Sequence, residues 1–550
     1  MNKLKKLLTS ALVLTLLCSF FGAAACGNND EGSNSSSDAA AGLEAKIGSI
    51  SNEAYEKLLQ GHKEKINLSV WTYYNNEQSI AFGKTINEFN KTRGKSKNIY
   101  VEHTSYDSVT KLTEALEASS KKTPGKPDMP QIFQVYSDDL KSLDDTYHNI
   151  ASLDNYFTKS ETENYVENFF EEGYINDGLK LIPTAKSTEV FMLNKTDWDN
   201  FETAYNAKAA EKDKVSLDDL KTIEGVTDTA EKYYQWSEGK AFFGRDALAN
   251  YILTSAHSLG KTVIQPSEDS VQVILDKETF RRIYDNFYVP YVKGYFYSKE
   301  RYRSGDVQTG NILSYVGSTS SATYFPKAVQ IDDDHSYDIE TYVAPIPVFK
   351  DAKAVAIQQG AGLAVSKSDT VTEYASAVFI KYLSENEDFA ASMNYVPVLQ
   401  SAYASDGLDK IQTAVINNEW RNYLEKEEKG ESDFTAQEIA QIKSDLKASN
   451  KILLDTYKAT YETMTSYEVW ASFPYENSAK IRKIFEYALT GTKPSGLGME
   501  NLKNASDLLA LVEQRVKNGE TRSQAAEAEL AAYPFENWFN ELSGIVAALG

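Results

Sequence analysis

A cluster of aromatic and amide side chains stands near the start of the chain, directly after an alternating apolar stretch. It contains Trp71, Tyr73, Tyr74 and Asn75. Flat aromatic faces can cover the apolar face of a ligand ring, and amide side chains can hydrogen-bond the ring's hydroxyl groups. Trp71 and Tyr73 could instead fill the core, with Asn76 capping a following helix. The cluster therefore predicts either a ring-binding surface or a piece of core.

Two further polar stretches could take part in binding. Tyr136 and Asp138 follow a short apolar stretch, where Asp138 would either face a ligand or place charge at a helix N-terminus. Ser318 and Thr319 lie in a loop of small residues, 317–321, whose hydroxyl and backbone N–H groups suit hydroxyl or anionic oxygens. A serine-rich turn without a ligand is also common, and this loop lacks the lysine and the spacing of a nucleotide-binding P-loop.

Enzyme motifs are nearly absent. The five histidines stand apart, without the zinc-protease pattern, and there is no G-x-S-x-G elbow of a serine hydrolase. The stretch from Gly360 to Gly362 lacks the third glycine of a dinucleotide fingerprint, and residues 332–338 lack the glycine and the last glutamate of an EF-hand loop. We therefore expect no metal and no cofactor. A pair of carboxylates that cuts a glycosidic bond stays open, because the chain has 79 acidic residues.

The composition is that of a folded, strongly acidic protein. The 550 residues carry a net charge of −22, and 42% of them are hydrophobic, which suits two or three domains with real cores. So acidic a chain argues against binding nucleic acid and against lying on an anionic membrane surface. Because the only cysteines are Cys18 and Cys26, disulfides, thiol nucleophiles and thiolate metal sites are excluded beyond residue 26.

The first residues are typical of an export leader followed by a tether. Lysines at positions 3, 5 and 6 precede an apolar run to Phe21, which predicts a signal peptide over residues 1–25. Small residues then precede Cys26, which resembles the lipobox of bacterial lipoproteins, where that cysteine is lipidated; Ala23 replaces the usual larger aliphatic residue. Ordinary secretion with cleavage before Cys26 is the alternative. Residues 26–43, rich in serine and asparagine, would form a flexible tether to the membrane.

Behind the tether, strand and helix patterns alternate. The first region predicts strands at 66–71, 99–103 and 131–136, with helices at 77–92 and 108–120 between them. This rhythm favours a parallel sheet whose ligands bind beyond the carboxyl ends of the strands, so the clusters after residues 71 and 136 would lie side by side. Further patterns predict a second α/β region from residue 190, with a helix at 245–259, a strand at 312–316, a glycine-interrupted strand at 354–365, a helix at 370–385, and a mostly helical end that includes 435–457 and 476–489.

Three blocks, in this order, resemble the extracellular solute-binding proteins of ABC transporters, in the family 1 sugar-binding group that includes the maltose-binding protein. The first block runs from Val70-Trp71 to a helix that ends in Asn90-Lys91. The second, residues 182–195, passes from a proline through a polar stretch to Asn194-Lys195, with Leu193 in place of the usual tyrosine. The third, residues 359–398, begins with Gln359-Gly360-Ala361-Gly362 and ends in Tyr395-Val396-Pro397-Val398.

The resemblance implies an α/β, two-lobed periplasmic-binding-protein-like fold with a hinge and a mostly helical C-terminal extension. The first lobe would comprise residues 44–190 and 358–396, and the second residues 191–357 and 397–550. Ligand-binding roles follow for residues in or near the matched blocks, namely Glu189 beside the hinge, Gln359, Asp246 with Asn250 at a helix start, and Trp470, for which a core position is equally open.

The implied function is that of a lipid-anchored receptor on the extracellular face of a Gram-positive cell membrane. It would act as a monomer, bind a carbohydrate, expected to be an oligosaccharide, between the lobes, and deliver it to ABC permease subunits. No cofactor and no nucleic acid take part. Two alternatives stay open: the same fold binding an anionic solute, such as a sugar phosphate or a uronate-bearing glycan, through the 317–321 loop, and a surface glycoside hydrolase.

Overall fold

The computed structural model of the chain describes residues 52–176, 178–266, 271–393, 395–404, 406–416, 435–472, 475 and 477–549. The predicted signal peptide, Cys26 and the tether lie outside the described residues. Within the described ranges, no helix is long and apolar enough to cross a membrane.

The first sheet contains the predicted parallel strands. Ile66–Thr72 lies between Ile99–Ser105 and Ile132–Val135 and is parallel to both. The even-numbered apolar residues Ile66, Leu68 and Val70 are buried, as the alternation predicts. A fourth strand, Gly362–Val365, joins the far edge of Ile132–Val135 in the antiparallel direction. The chain therefore returns to the first sheet after a long excursion, and only the parallel part was predicted.

The second sheet is mixed. Its strand order is Thr341–Pro345, Glu189–Asn194, Ser314–Ser318 and Phe243–Arg245. Glu189–Asn194 is antiparallel to both of its neighbours, whereas Phe243–Arg245 runs parallel to Ser314–Ser318. All six residues of Glu189–Asn194 are buried, because the strand is central and both of its faces are covered.

Each sheet has its own apolar core. Val70, Phe82 and Phe379 belong to the core around the first sheet, with Phe133 and Leu140 in a cluster beside it. The core around the second sheet includes Phe191, Phe243 and the C-terminal residues Ile484 and Trp538. We call the first sheet with the elements packed on it the first body, and the second sheet with its elements the second body. Two separate cores are what a two-lobed fold requires.

Three stretches of chain lie between the bodies. Ile182 pairs with Leu363, and Ser187 pairs with Gln359 through Ser187 N to Gln359 O at 2.9 Å and Gln359 N to Ser187 O at 2.7 Å. The short strand Val355–Ile357 pairs in parallel with Glu468–Trp470. These three stretches, 182–189, 355–363 and 468–470, form the hinge region.

Two predicted elements are each divided in the structure, and only the first division was expected. The glycine-interrupted strand at 354–365 is two strands, Val355–Ile357 and Gly362–Val365, separated by Gly360 at φ 101°. Only glycine adopts this conformation easily, so the strand cannot continue through it. The helix expected at 435–457 is two helices, Ala436–Ser449 and Lys451–Ser466, divided at Asn450.

The remaining elements complete the two bodies. The other α-helices are Asn52–Gly61, Asn76–Lys91, Arg93–Lys97, Val109–Ser120, Ser137–Tyr147, Lys159–Thr162, Lys195–Asn206, Ile223–Trp236, Leu248–Ser258, Lys277–Ile283, Val289–Lys293, Arg303–Gln308, Thr370–Glu385, Glu387–Ser392, Ser478–Leu489, Ala505–Lys517, Arg522–Ala532 and Phe535–Ala547. A π-helical turn, Tyr284–Tyr288, joins two of these helices, and the 3₁₀ turns are Glu167–Gly173, Glu211–Asp213, Asp219–Lys221, Thr319–Tyr324 and Gln400–Tyr403. Short strand pairs are Tyr174–Ile175 with Gly178–Leu179, Ile264–Pro266 with Val271–Val273, and Ala328–Gln330 with Ser336–Asp338.

Candidate functional site

Four tyrosines meet beyond the carboxyl ends of the first sheet, and we call Tyr73, Tyr74, Tyr136 and Tyr395 the tyrosine cluster. The rings of Tyr73 and Tyr136 are parallel within 4°, with centroids 6.2 Å apart, and the Tyr73 hydroxyl donates to the Tyr136 hydroxyl at 3.4 Å. Tyr136 is 39% exposed, so part of its ring faces outward. Tyr395 hydrogen-bonds Tyr73, and burial raises the pKa of Tyr395 to about 12.

The other residues of the first predicted cluster lie in different surroundings. Trp71 is buried, and its ring packs against Tyr106 with centroids 4.9 Å apart. Tyr74 is also buried and packs edge-on against Phe82 at 5.3 Å. Asn75 is exposed, and its amide donates to the carbonyl of Asp107 at 3.2 Å. Trp71 thus occupies the core position that was the alternative to its binding role, and Tyr74, for which no core position was predicted, is buried as well.

Asp138 lies beside Tyr136, in the first turn of Ser137–Tyr147. It is half-buried and hydrogen-bonds the hydroxyl of Ser478, with Arg482 nearby. Burial raises the pKa of Asp138 to about 6, although the Arg482 charge and the Ser478 hydroxyl act in the opposite direction. Since Ser478 belongs to the second body, this hydrogen bond joins a side chain of the first body to the second.

Glu189 is buried at the start of the central strand of the second sheet, and its carboxylate is fully partnered. Arg245 forms a buried ion pair with one oxygen. The other oxygen accepts from Asn250 Nδ2 at 3.0 Å and from Gln359 Nε2 at 3.3 Å. Glu189 therefore fixes three donors from three different elements, and its oxygens are committed to the protein itself.

Asp246 follows Arg245 and is paired with Arg303. Its Oδ1 accepts from the backbone N–H of Arg303 at 3.2 Å and from Arg303 Nε at 3.4 Å. Burial raises the pKa of Asp246 to about 6, and the pairing with Arg303 acts in the opposite direction. A Cβ atom at position 317 would lie 3.3 Å from Asp246 Oδ2. Gly317 therefore lets this carboxylate approach the strand closely.

The 317–321 loop contacts the hinge region. Thr319 is buried, its hydroxyl accepts from Thr188 N at 3.2 Å, and its backbone N–H donates to Thr188 O at 2.9 Å. Ser318 is half-buried; its hydroxyl lies 3.0 Å from that of Ser320 and donates to Ser187 at 3.4 Å. The groups of Thr319 that could bind an anion are thus bonded to the chain.

Trp470 lies in the hinge region, at the end of Glu468–Trp470. The ring of His257 stacks on it, with centroids 4.6 Å apart and planes 15° apart. His257 Nε2 lies 2.9 Å from Glu468 Oε1, which holds the imidazole in place. One face of Trp470 is therefore covered by the protein.

Residues 84–417 match the family model described as bacterial extracellular solute-binding protein. The chain belongs to this family. Among curated proteins, no sequence matches this solute-binding protein. Within the part of the chain that the structure describes, no group of three histidine, cysteine, aspartate or glutamate side chains is placed to hold a metal ion.

Solved structures share the fold of this solute-binding protein at low sequence identity. The cyclic alpha-maltosyl-1,6-maltose binding protein from Arthrobacter globiformis has a TM-score of 0.52 and 12% identity, with 87% of this chain and 99% of that chain covered. UgpB from Mycobacterium tuberculosis, in complex with glycerophosphocholine, has a TM-score of 0.52 and 15% identity, with 88% of this chain and 99% of that chain covered. The ABC substrate-binding protein Lmo0181 from Listeria monocytogenes, in complex with cycloalternan, has a TM-score of 0.51 and 12% identity, with 87% of this chain and 99% of that chain covered. The predicted two-lobed α/β fold is confirmed.

The structure brings the predicted site residues of the solute-binding protein together in two groups. Tyr73, Tyr136 and Asp138 lie on the first body. Glu189, Asp246, Ser318 and Gln359 lie where the second body meets the hinge region. Arg482 donates to Asn250 beside the second group, and its charge acts to lower the pKa of Asp138 in the first group. Trp71 belongs to the apolar cluster against which Tyr73 packs, and Asn75 lies at the surface.

Sequence reasoning missed the basic residues of this site. Arg245, Arg303 and Arg482 pair with the predicted carboxylates or their partners, and none of them stood in a motif. One signal was available, because Ser478, Arg482 and Glu486 are spaced by four and so lie on one face of a helix. Lys186 was missed as well. It is fully buried in the hinge region, paired with Glu172 and donating to Gly360 O at 3.0 Å, and burial lowers its pKa to about 7.

Proposed function

We propose that this protein is the lipid-anchored substrate-binding lipoprotein of an ABC importer, and that it binds a neutral carbohydrate between its two bodies. The parallel rings of Tyr73 and Tyr136, with Asp138 beside them, are the observation that carries the proposal. A ring face of this kind covers the C–H side of a pyranose, and a neighbouring carboxyl group binds its hydroxyls.

The solute is proposed to be an oligosaccharide. Of the proteins that share the fold, one is named for binding cyclic alpha-maltosyl-1,6-maltose and another is in complex with cycloalternan. Both ligands are cyclic oligosaccharides. The bound sugar would be passed to the permease subunits of the transporter when the bodies separate. The lipid on Cys26 would keep this monomeric receptor close to the permease and so raise its effective concentration there.

An anionic solute is the competing proposal, and it is supported by the glycerophosphocholine complex of a protein with the same fold. The charges around the candidate site favour a neutral ligand instead. Each arginine there is already beside a carboxylate: Arg245 with Glu189, Arg303 with Asp246, and Arg482 near Asp138. A phosphate or uronate would have to displace one of these carboxylates, which carry the same charge as the ligand.

Isothermal titration calorimetry with a panel of neutral oligosaccharides, sugar phosphates and uronate-bearing glycans tests the proposal. We expect at least one neutral oligosaccharide to bind, and Tyr136→Ala to weaken its binding about tenfold, or ~1.4 kcal/mol. Tyr136→Phe keeps the ring and is the matched control, so it should retain most of the affinity. Binding of anionic solutes alone would overturn the proposal, as would hydrolysis of a bound glycan during long incubation.

A further inference from the structure

One exposed tyrosine of the second body is linked to a carboxyl group of the candidate site. The peptide N–H that joins Tyr302 to Arg303 donates to Asp246 Oδ1 at 3.2 Å, and Arg303 Nε lies 3.4 Å from the same oxygen. Tyr302 is 58% exposed, and the guanidinium of Arg301 lies 5.2 Å from the centroid of its ring. The side chain of Asp246 is 25% exposed. An open aromatic ring and an accessible carboxyl group are therefore held together through one hydrogen-bonded peptide.

The loop that carries Tyr302 is fixed by a buried ion pair. Arg303 and Asp306 are both buried and pair with each other. The Asp306 carboxylate also accepts from the backbone N–H groups of Lys299 at 3.3 Å and Glu300 at 3.2 Å. The guanidinium of Arg303 donates to the carbonyl of Glu300. Because these bonds close the loop around Tyr302 without a ligand, binding would use a ring whose position is already set, and this lowers the entropy cost.

The same loop lies at the edge of the second sheet that meets the hinge region. The strands Phe243–Arg245 and Ser314–Ser318 are parallel, so their carboxyl ends lie at one edge. Asp246 follows the first of these strands, and its backbone N–H donates to the second at 3.0 Å. Thr319 follows the second strand and bonds Thr188 of the hinge region. The exposed tyrosine thus belongs to the edge where sheets of this kind bind their ligands.

The first body presents the same combination of groups. Tyr136 is 39% exposed, and Asp138 follows it by two residues. Asp138 and Asp246 are both half-buried, and each accompanies an exposed tyrosine ring. A pyranose has an apolar C–H face and a rim of hydroxyl groups, so a ring with a carboxyl group offers a partner to each. Each body therefore carries one set of groups that suits one sugar unit.

We propose that Tyr302 is a second sugar-binding ring, which acts with Asp246 on one pyranose unit of an oligosaccharide while Tyr136 and Asp138 act on another. The inference rests on the proposed function, since it concerns the same solute. It also narrows that solute, because two separate rings, each with its own carboxyl partner, serve a ligand of at least two sugar units.

Isothermal titration calorimetry tests the role of Tyr302. The probe is whichever of maltotetraose, cellotetraose, xylotetraose and cycloalternan the parent protein binds most tightly. We expect Tyr302→Ala to weaken binding of this probe about fivefold, because the contact between the ring and the C–H face is lost. Tyr302→Phe keeps the ring and should retain most of the affinity. The control is Ile274→Ala, which removes an exposed apolar side chain that belongs to neither sheet and should leave the affinity unchanged.

Fluorine NMR gives a second measurement, one that an indirect structural effect would not change. In protein labelled with 3-fluorotyrosine, the resonance of Tyr302 is the one that is absent from Tyr302→Phe. We expect this resonance to shift when the probe is added, because the sugar would lie against the ring.

An unchanged affinity in Tyr302→Ala, when the parent binds the probe, would overturn the inference and leave the proposed function standing. A loss of affinity without a shift of the Tyr302 resonance would overturn it as well, since the ring would then act only indirectly. Equal losses in Tyr302→Ala and Ile274→Ala would have the same meaning. If the parent binds none of the four oligosaccharides, the carbohydrate function and this inference fail together, so the two failures are distinguishable.

Discussion

The three carboxylates around the candidate site have different sets of partners. Glu189 is enclosed by a complete set of donors, including Arg245. Asp138 and Asp246 have Arg482 and Arg303 beside them, yet burial still raises the pKa of each to about 6. These two groups would thus hold protons in the folded protein at a pH where they are ionised in the unfolded chain.

A pH dependence of stability follows for Asp246. Its pKa is 3.8 when unperturbed and about 6 in the folded protein, so its stabilising contribution is complete below pH 3.8 and is lost as the pH rises through 6. We expect Asp246→Asn to gain stability over the parent between pH 4 and pH 7, by an amount on the order of 2 kcal/mol. Arg303 keeps Asp306 as an ion-pair partner in this variant.

Urea unfolding at a series of pH values measures this difference. Asp333→Asn, which changes an exposed carboxyl on the 332–338 stretch, is the control and should stay parallel to the parent. A parallel curve for Asp246→Asn as well would contradict the prediction.

The sequence indicated which residue types meet at the site but not how they pair. Glu189 was expected to bind ligand hydroxyls, and in the structure its partners lie 56, 61 and 170 positions away, at Arg245, Asn250 and Gln359. Pairings over such separations depend on tertiary packing and leave no periodic trace. Trp71 could equally well face a ligand or the core, because the alternation of residues along a strand does not show what covers each face of the sheet.

At the scale of elements, periodic signals were reliable and breaks in the chain were not. The apolar period predicted the helix Thr370–Glu385 with its observed bounds. The resemblance placed residues 358–396 in the first lobe, but the antiparallel pairing of Gly362–Val365 with Ile132–Val135 was not predictable, since the two strands lie far apart in sequence. The break at Asn450 was missed because the apolar period is similar on both sides of it.

Gly360 is the element-scale feature that a substitution can test. With φ at 101°, alanine at this position would be strained, although its Cβ would meet no atom closer than 3.6 Å. We expect Gly360→Ala to lower the free energy of unfolding by about 1–2 kcal/mol, measured by urea denaturation. Gly83→Ala is the matched control. It lies inside Asn76–Lys91 with open space around it, so it should stabilise by about 0.5–1 kcal/mol. Equal effects of the two variants would contradict the strain argument.

At the scale of the whole molecule, a strongly acidic solute-binding protein follows a predicted lipid anchor in the sequence. The two bodies have separate cores, so a change in their relative orientation need not disrupt either core. The proposed anchor at Cys26 acts on neither body. Its loss should therefore change where the protein resides and leave its fold unaffected.

Replacing the two cysteines separately tests the anchor. In the producing bacterium we expect Cys26→Ser to move the protein from the membrane fraction to the medium, because the acyl chains supply the binding to the bilayer. Cys18→Ser lies within the predicted leader and should leave the protein in the membrane fraction. Fractionation followed by immunoblotting measures both. Retention of Cys26→Ser on the membrane would contradict the lipoprotein assignment.

The stack of His257 on Trp470 gives the hinge region a built-in optical signal. Contact with a stacked imidazole ring changes the fluorescence of an indole. Here the imidazole of His257 is held in place by Glu468, two residues before Trp470 in the same strand. In a chain whose six tryptophans are reduced to Trp470 alone, emission would brighten or dim as the strands Val355–Ile357 and Glu468–Trp470 shift. The movement of this receptor could then be followed in real time with no dye attached.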